Sequence, residues 1–321
     1  MNWINHYIMR FKKPKFWDYK EPNINSYLLW PISFLIKLIS LFKIIIVKRK
    51  SSSIKTICIG NIYLGGTGKT SLSLRINKIL NQKKIKTCFI KKFYPDQIDE
   101  QNILENNGKL FKNKKRLNAL LQADLEGYEV AIFDDGLQDN SIDYDLRIVC
   151  FNNTNWIGNG FTIPSGPLRE NFENIKKYKN VFLNGNNENL DEIKKFIYKI
   201  DSNINIYQGK YIPKNIEDFN LNDKFLVFSG IGNHKTFISM LKNNKLNIVK
   251  DIEFPDHYSY STNDIEEIIS ISNELNCRII TTEKDFIRLK NDARNEIKYI
   301  KVDLEILNEK DFLKDISDLY E

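Results

Sequence analysis

The chain has 321 residues, of which 28% are charged, and its formal net charge is +7. This length is sufficient for two domains with their own cores, and the positive balance favours anionic partners. Lysines are spread along the chain without a nucleic-acid-binding motif, so we expect no nucleic-acid partner. The four cysteines lack CxxC spacing, which argues against a zinc site or a disulfide framework.

The first predicted element is an apolar helix over residues 27–47. At 1.5 Å per residue it would be about 30 Å long, enough to span a bilayer. Polar side chains recur along one side of it at helical spacing: Ser33, Lys37, Ser40 and Lys43. This pattern and the basic run 48–50 favour a helix lying in a membrane interface, so residues 1–50 are predicted as a membrane-associated segment. A true anchor and a packed core helix remain alternatives.

A glycine-rich loop, GNIYLGGTGKT (60–70), follows a strand-like run at 54–59. Its glycines let backbone N–H groups turn inward, and a helix beginning near Lys69 would direct its positive end at the same point. Lys69 would contact the outer phosphates of a nucleotide, and the Thr70 hydroxyl would bind Mg²⁺. Tyr63 stands where a first glycine is usual. The predicted nucleotide-contacting residues are Gly60, Asn61, Gly65, Gly66, Thr67, Gly68, Lys69 and Thr70.

An acidic element, Asp134-Asp135-Gly136-Leu137-Gln138, ends a short apolar strand at 129–133. Carboxylates at the carboxyl end of a parallel strand beside a phosphate loop can hold magnesium directly or through water. Side chains alternate along a strand, so we expect one carboxylate to face the metal and the other to orient a partner. The alternative is a solvated acidic turn.

Two later segments carry further candidates. Arg169 and Glu170 follow the rigid run 164–167, and arginine can bind two phosphate oxygens, although an exposed ion pair would have the same sequence. His257 is flanked by Asp256 and by aromatic residues, which makes it a candidate catalytic residue, although a lone histidine is more often structural.

Alternating strand-like and helical runs predict an α/β fold, a P-loop NTPase-like and mostly parallel sheet sandwiched by helices. The kinase-like domain is predicted over 51–216 and a smaller α/β domain over 217–321. Extended runs at 204–211 and 296–302 are predicted to pair as a connector between them.

Taken together, these motifs resemble the tetraacyldisaccharide 4'-kinases of lipid A biosynthesis. The matching segments occur in the family's order: GNIYLGGTGKT (60–70), DDGLQ (134–138), PSGPLRE (164–170), FSGIGNHKTF (228–237), FPDHY (254–258) and TTEKDFIRL (281–289). The resemblance implies an ATP- and Mg²⁺-dependent kinase. Its acceptor would be the 4'-hydroxyl of a tetraacyl glucosamine disaccharide 1-phosphate at the cytoplasmic face of the bacterial inner membrane.

The resemblance also implies residue roles. Asp99 would be the catalytic base, oriented by His257, while Lys69 would act on the phosphates. The implied metal-side residues are Thr70, Asp134, Asp135 and Glu170, and the implied substrate-side residues are Gln138 and Arg169. The chain departs from the family pattern at Ile98, Asp139 and Tyr258, where a glycine and two histidines are usual.

Two other classes stay open from the sequence. A nucleotide-switch GTPase or chaperone-type ATPase shares GGTGKT with an acidic second element, although residues 113–116 and 282–285 fail the guanine-specificity pattern. A peripheral membrane protein could also bind ATP only structurally.

Overall fold

The computed structural model describes residues 13–47, 49–94, 98–185, 189–256 and 258–319. In these ranges the strands are β1 (Lys55–Gly60), β2 (Thr87–Lys92), β3 (Leu110–Asn113), β4 (Val130–Asp134), β5 (Leu146–Asn152), β6 (Asn180–Asn184), β7 (Asn205–Pro213), β8 (Lys224–Ser229), β9 (Asn247–Glu253), β10 (Arg278–Thr282), β11 (Ile297–Ile300) and β12 (Val302–Leu307). The helices are α1 (Ile24–Ile46), α2 (Lys69–Gln82), α3 (Ile98–Asn107), α4 (Arg116–Leu125), α5 (Leu190–Ile200), α6 (His234–Asn243), α7 (Thr262–Glu274), α8 (Glu283–Arg288) and α9 (Glu309–Ser317).

The larger sheet carries the glycine-rich loop at its centre. Among the described residues its strand order is β12-β7-β6-β5-β1-β4-β2-β3, and every neighbouring pair is parallel except β7 with β12. Helices α4 and α5 pack on one face, and α2 and α9 on the other. Burial on both faces explains why β4 is apolar from Val130 to Phe133. The predicted α/β fold with a mostly parallel, helix-covered sheet is confirmed.

The smaller sheet has the order β11-β10-β8-β9 within the described residues, with all pairs parallel. Helix α6 covers one face and α7 the other. Strands and helices alternate along this part of the chain, from β8 to α8.

The predicted connector is wrong in its second half. Strand β7 pairs antiparallel with β12, whereas most of the predicted partner segment 296–302 forms β11 of the smaller sheet. Both segments are locally extended, and only the tertiary pairing decides which sheet each one joins. Because β12 and α9 return to the larger sheet, the two sheets do not divide at a single point of the chain. The domain boundary at 216/217 stays a prediction.

Helix α1 lies outside both sheets and exposes its apolar side chains. Its N-terminus is capped by Asn23, whose side chain accepts a hydrogen bond from the Ser26 amide at 3.2 Å. Residues Ile24–Phe42 are long and apolar enough to cross a membrane, and only 11% of the most apolar stretch is buried. A packed core helix would be mostly buried, so that alternative is wrong.

We expect Phe312→Ala in α9 to lower the free energy of unfolding by about 3–5 kcal/mol, because the ring is buried against Phe182 and Tyr207. Phe42→Ala is the matched control, since that ring is 65% exposed and its loss should change stability by about 0.5 kcal/mol or less in solution. Urea denaturation measures both variants. Equal effects would contradict the docking of α9 on the larger sheet.

Candidate active site

The glycine-rich loop connects β1 to α2 at the carboxyl edge of the larger sheet. Gly68 precedes α2 with φ +82°, in the left-handed region that glycine adopts without strain. A Cβ atom there would lie 2.3 Å from both the Asn184 amide nitrogen and the Tyr211 hydroxyl. The Asn184 amide donates to the Thr67 carbonyl at 2.8 Å. Side chains from β6 and β7 therefore hold the loop closely, and only glycine fits at this position.

Asn61 and Tyr63 account for the unusual start of the loop. The Asn61 amide donates to the carbonyls of Tyr63 (2.6 Å) and Gly65 (3.1 Å), which closes the turn internally. The Tyr63 ring is buried, and its hydroxyl donates to Asp18 at 3.0 Å. A packed side chain thus occupies the place where a glycine is usual.

The loop also contacts the smaller sheet. A Cβ atom on Gly232, in the turn between β8 and α6, would lie 2.2 Å from the Gly66 nitrogen. Two glycine backbones therefore touch between the phosphate loop and the segment 228–237. This contact gives the motif FSGIGNHKTF a place at the site that its sequence alone does not reveal.

Several buried polar atoms around the loop have no partner in the structure, as expected of groups that await a ligand: Thr67 Oγ1, Asn61 Oδ1 and Asn184 Oδ1. Thr70 Oγ1 lies 3.4 Å from Asp134 Oδ2, so a hydroxyl oxygen and a carboxylate oxygen are close enough to contact the same ion. These hard oxygens fit Mg²⁺, which is usually held by one or two protein oxygens together with substrate phosphates. No cluster of three or more His, Cys, Asp or Glu side chains suited to a metal occurs in the described ranges.

The two adjacent carboxylates have different partners. Asp134 is fully buried and faces Thr70 and Ser73 of α2. Asp135 adopts a positive φ of 62°, and its carboxylate accepts a hydrogen bond from Arg169 at 2.9 Å. Burial would raise the pKa of Asp135, but the charges of Lys69 and Arg169 lower it below its ordinary value.

Lys91, at the end of β2, is a site residue that sequence reasoning missed. Its side chain is buried, and its ammonium group donates to Asp134 Oδ2 (2.6 Å) and Glu100 Oε2 (2.7 Å). Burial would lower the pKa of Lys91, but these two carboxylates raise it above its ordinary value. A buried lysine needs carboxylate partners of this kind. A lysine that follows the apolar residues of a strand was therefore the sequence signal that could have indicated a charged site here.

Helices α3 and α8 meet through two ion pairs. Arg288 of α8 pairs with Asp99 of α3, and Lys284 donates to Glu100 Oε1 at 3.3 Å. Burial would raise the pKa of Glu100, but Lys284, Lys91 and Lys69 hold it well below its ordinary value. Asp99 is therefore placed within the same charged cluster as the phosphate loop.

Arg288 is itself held by a buried acid. Asp285 accepts hydrogen bonds from Arg288 (2.9 Å), from Tyr260 (2.8 Å) and from the Gly230 amide (3.0 Å). The segment 281–289 therefore supplies the cations that face α3. Both Lys284 and Arg288 lie in the matching segment TTEKDFIRL, but the sequence alone assigned neither of them a role.

The segment 164–170 brings Gln138, Arg169 and Glu170 together. Arg169 donates to Gln138 Oε1 at 3.1 Å, and Gln138 donates to the Asn61 carbonyl at 3.0 Å. Glu170 accepts from the Tyr178 hydroxyl at 2.7 Å and from Asn174 at 2.8 Å. Arg169 thus adjoins the acidic element and the start of the phosphate loop.

His257 and Lys48 lie outside the described residues. The preceding Asp256 contributes to raising the pKa values of Lys284 and Arg288, which places its charge near α8.

Buried His234 is hydrogen-bonded to Ser229 at 2.7 Å and to Asp251 at 3.0 Å, so it links β8 with β9.

The sequence profile of the tetraacyldisaccharide-1-P 4'-kinase family matches residues 25–113 and 99–321. The chain belongs to this family. It is 59% identical to the tetraacyldisaccharide 4'-kinase of Pelagibacter ubique over 98% of this chain and 99% of that one. It is 34% identical to the enzyme of the same name from Rickettsia typhi, over 96% and 100% of the two chains.

The fold of the family member LpxK from Aquifex aeolicus is similar. Its crystal structure, an "apo" form in complex with ATP, superposes with a TM-score of 0.68 at 21% identity, covering 92% of this chain and 99% of that one. These comparisons support the family resemblance drawn from the motifs and give no support to a nucleotide-switch GTPase or chaperone-type ATPase.

We expect Lys91→Met to lower the free energy of unfolding by about 3–5 kcal/mol, because it leaves Asp134 buried without its cation. Lys78→Met is the control, since Lys78 is 55% exposed and its 3.4 Å pair with Asp303 should contribute about 1 kcal/mol or less. Chemical denaturation at several pH values measures both.

The pH dependence has a defined sign. The lowered pKa of Glu100 stabilises the fold above the unfolded value of about 4.3, and this contribution is lost as the pH falls through the folded value. The difference in the free energy of unfolding between wild type and Lys91→Met should therefore decrease as the pH falls from about 4.3 through the folded pKa of Glu100. A difference that stays constant would contradict the charge network.

Proposed function

We propose that the chain is an ATP-dependent kinase that phosphorylates the 4'-hydroxyl of a tetraacyl glucosamine disaccharide 1-phosphate in lipid A biosynthesis. The chain belongs to the kinase family, and its phosphate loop lies at the carboxyl end of β1 beside Asp134. The loop also faces the charged cluster of α3 and α8, and this arrangement is the observation that carries the proposed function. Phosphoryl transfer requires chiefly positioning and charge neutralisation, and this arrangement offers both.

The phosphate loop would bind the triphosphate through its inward backbone N–H groups and the N-terminus of α2. Lys69, near enough to affect the pKa values of both Asp135 and Glu100, would contact the outer phosphates. Magnesium, when bound, would neutralise phosphate charge, and Thr70 and Asp134 would hold it. Metal-side roles for Asp135 and Glu170 stay predictions.

Asp99 is the proposed base. Its carboxylate would accept the proton of the 4'-hydroxyl while that oxygen bonds to the γ-phosphorus and the bond to the β–γ bridging oxygen breaks, releasing ADP. Pairing with Arg288 orients the carboxylate from α8, and His257 would orient it further. Arg169, which is paired with Asp135, would bind the transferred phosphoryl group or a phosphate of the acceptor.

Helix α1 would bring the site to the membrane that holds the acceptor. Exposed apolar side chains run along its length: Ile24, Tyr27, Leu28, Trp30, Ile32, Phe34, Leu35, Ile36, Leu38, Ile39, Leu41 and Phe42. Exposed basic residues Arg49 and Lys50 follow the helix and would meet anionic head groups. The cytoplasmic face of the inner membrane is the surface where ATP is available.

We expect Asp99→Asn to lower kcat by about 100-fold or more with little change in ATP affinity, because the base acts on the acceptor hydroxyl. Lys69→Ala should instead weaken ATP binding as well as turnover. Asp143→Asn, at a side chain that is 59% exposed, is the control. Acceptor-dependent ADP release and the mass of the lipid product measure the reaction, and full activity of Asp99→Asn would remove the assignment.

We expect Leu35→Asp to weaken binding to anionic phospholipid vesicles at least about tenfold, because it places a charge in the apolar surface of α1. Leu125→Asp on α4 is the control, since Leu125 is 89% exposed and Leu35 58%. Deleting the whole segment is a poorer test because Trp17 and Ser33 are buried. Vesicle flotation and ATP binding are measured, and unchanged flotation of Leu35→Asp would exclude docking through this surface.

A further inference from the structure

Helix α1 has one buried polar face in an otherwise exposed apolar surface. Ser26 and Ser33 are 0% and 4% exposed, while Lys37 and Ser40 on the same predicted polar stripe are exposed. Residues seven apart lie two helical turns apart on one face. The two buried serines therefore face the protein, and they face one segment, residues 159–169, which we call the rim loop.

Every hydrogen-bonding site of the Ser33 hydroxyl is used by the rim loop. It donates to the Thr162 carbonyl at 2.9 Å and accepts from the Ser165 amide at 3.1 Å. The Ser165 hydroxyl lies 2.8 Å away and can donate to the remaining lone pair. One donor and two acceptors are all that a serine hydroxyl offers.

A second set of contacts holds the same loop. The Asn159 amide donates to Ser26 Oγ at 2.9 Å and to the Ser165 carbonyl at 3.0 Å. The indole of Trp17, which precedes α1, donates to the Pro164 carbonyl at 3.0 Å. The loop is therefore attached to the apolar helix at both ends of its turn.

The opposite edge of the rim loop forms part of the active-site wall. The Leu64 amide of the phosphate loop donates to the Pro167 carbonyl at 2.8 Å, and the Arg169 amide donates to the Ile62 carbonyl at 2.6 Å. Tyr63 and Leu168 form an antiparallel bridge between these two bonds. A continuous path of hydrogen bonds thus runs from α1 through the rim loop to the phosphate loop and Arg169.

We propose that Ser33 is a positioning residue of the kinase: through the rim loop it sets the place of Arg169. Helix α1 is then a wall of the active site as well as its membrane contact. This inference rests on the proposed function. An apolar residue at position 33 would leave the buried Ser165 amide without this partner, so the hydroxyl holds the rim loop in place as well as packing against it.

The test compares Ser33→Ala with Ser40→Ala in the full-length chain. Both changes remove one hydroxyl from α1, but the exposed Ser40 hydroxyl donates to its own helix, at the Ile36 carbonyl. We expect Ser33→Ala to lower kcat for the lipid acceptor about tenfold, with vesicle binding and the KM for ATP within about twofold of wild type. Amide exchange at Ser165 should become faster in this variant, and Ser40→Ala should match wild type in every measurement.

Ser26→Ala, which acts on the same loop through Asn159, replaces Ser33→Ala if the latter does not fold. A lower melting temperature with unchanged kcat would overturn the proposal, because it would show a purely structural role. An equal loss of vesicle binding and kcat would also overturn it in favour of a tether. If wild type shows no acceptor-dependent ADP release, the proposed function fails, whereas the exchange at Ser165 still decides whether Ser33 holds the loop.

Discussion

The backbone N–H groups of the phosphate loop must remain accessible to an anion, although the loop is closely packed by the residues around it. Asn184 and Tyr211 leave no room for a side chain at Gly68, and Gly232 of the smaller sheet touches Gly66. The rim loop bonds the remaining side through Leu64. A loop held from three directions binds phosphate without first paying the entropy of ordering its own backbone.

Charge balance links this loop to the smaller sheet. Asp134, Lys91, Glu100 and Lys284 alternate in sign from the interior of the larger sheet to α8. Each buried charge in the series has an opposite neighbour, which offsets its desolvation. Asp99 and Arg288 form a second ion pair beside this series, so movement between the sheets would act on the proposed catalytic carboxylate.

The apolar helix belongs to the same system. Its exposed surface faces outward, where a lipid acceptor would be, and its buried serines bond the loop that carries Arg169. The proposed membrane contact and the proposed positioning of Arg169 are therefore properties of one element. This combination suits a reaction between a soluble nucleotide and a head group that cannot leave the bilayer.

Features that depend on local chemistry can be read from the residues alone: the glycine-rich loop after one strand, the acidic element after another, the helical periods and the apolar helix. The sequence also named the family through the order of its motifs. It did not determine that β12 rather than 296–302 pairs with β7, because extended segments of similar composition are distinguished only by the partners available in space. Nor did it reveal Lys91, Lys284 and Arg288 as partners of acids far along the chain, since lysine and arginine in a sequence are usually solvated. The tertiary structure decided these roles, because burial turns an ordinary charge into one that must be paired.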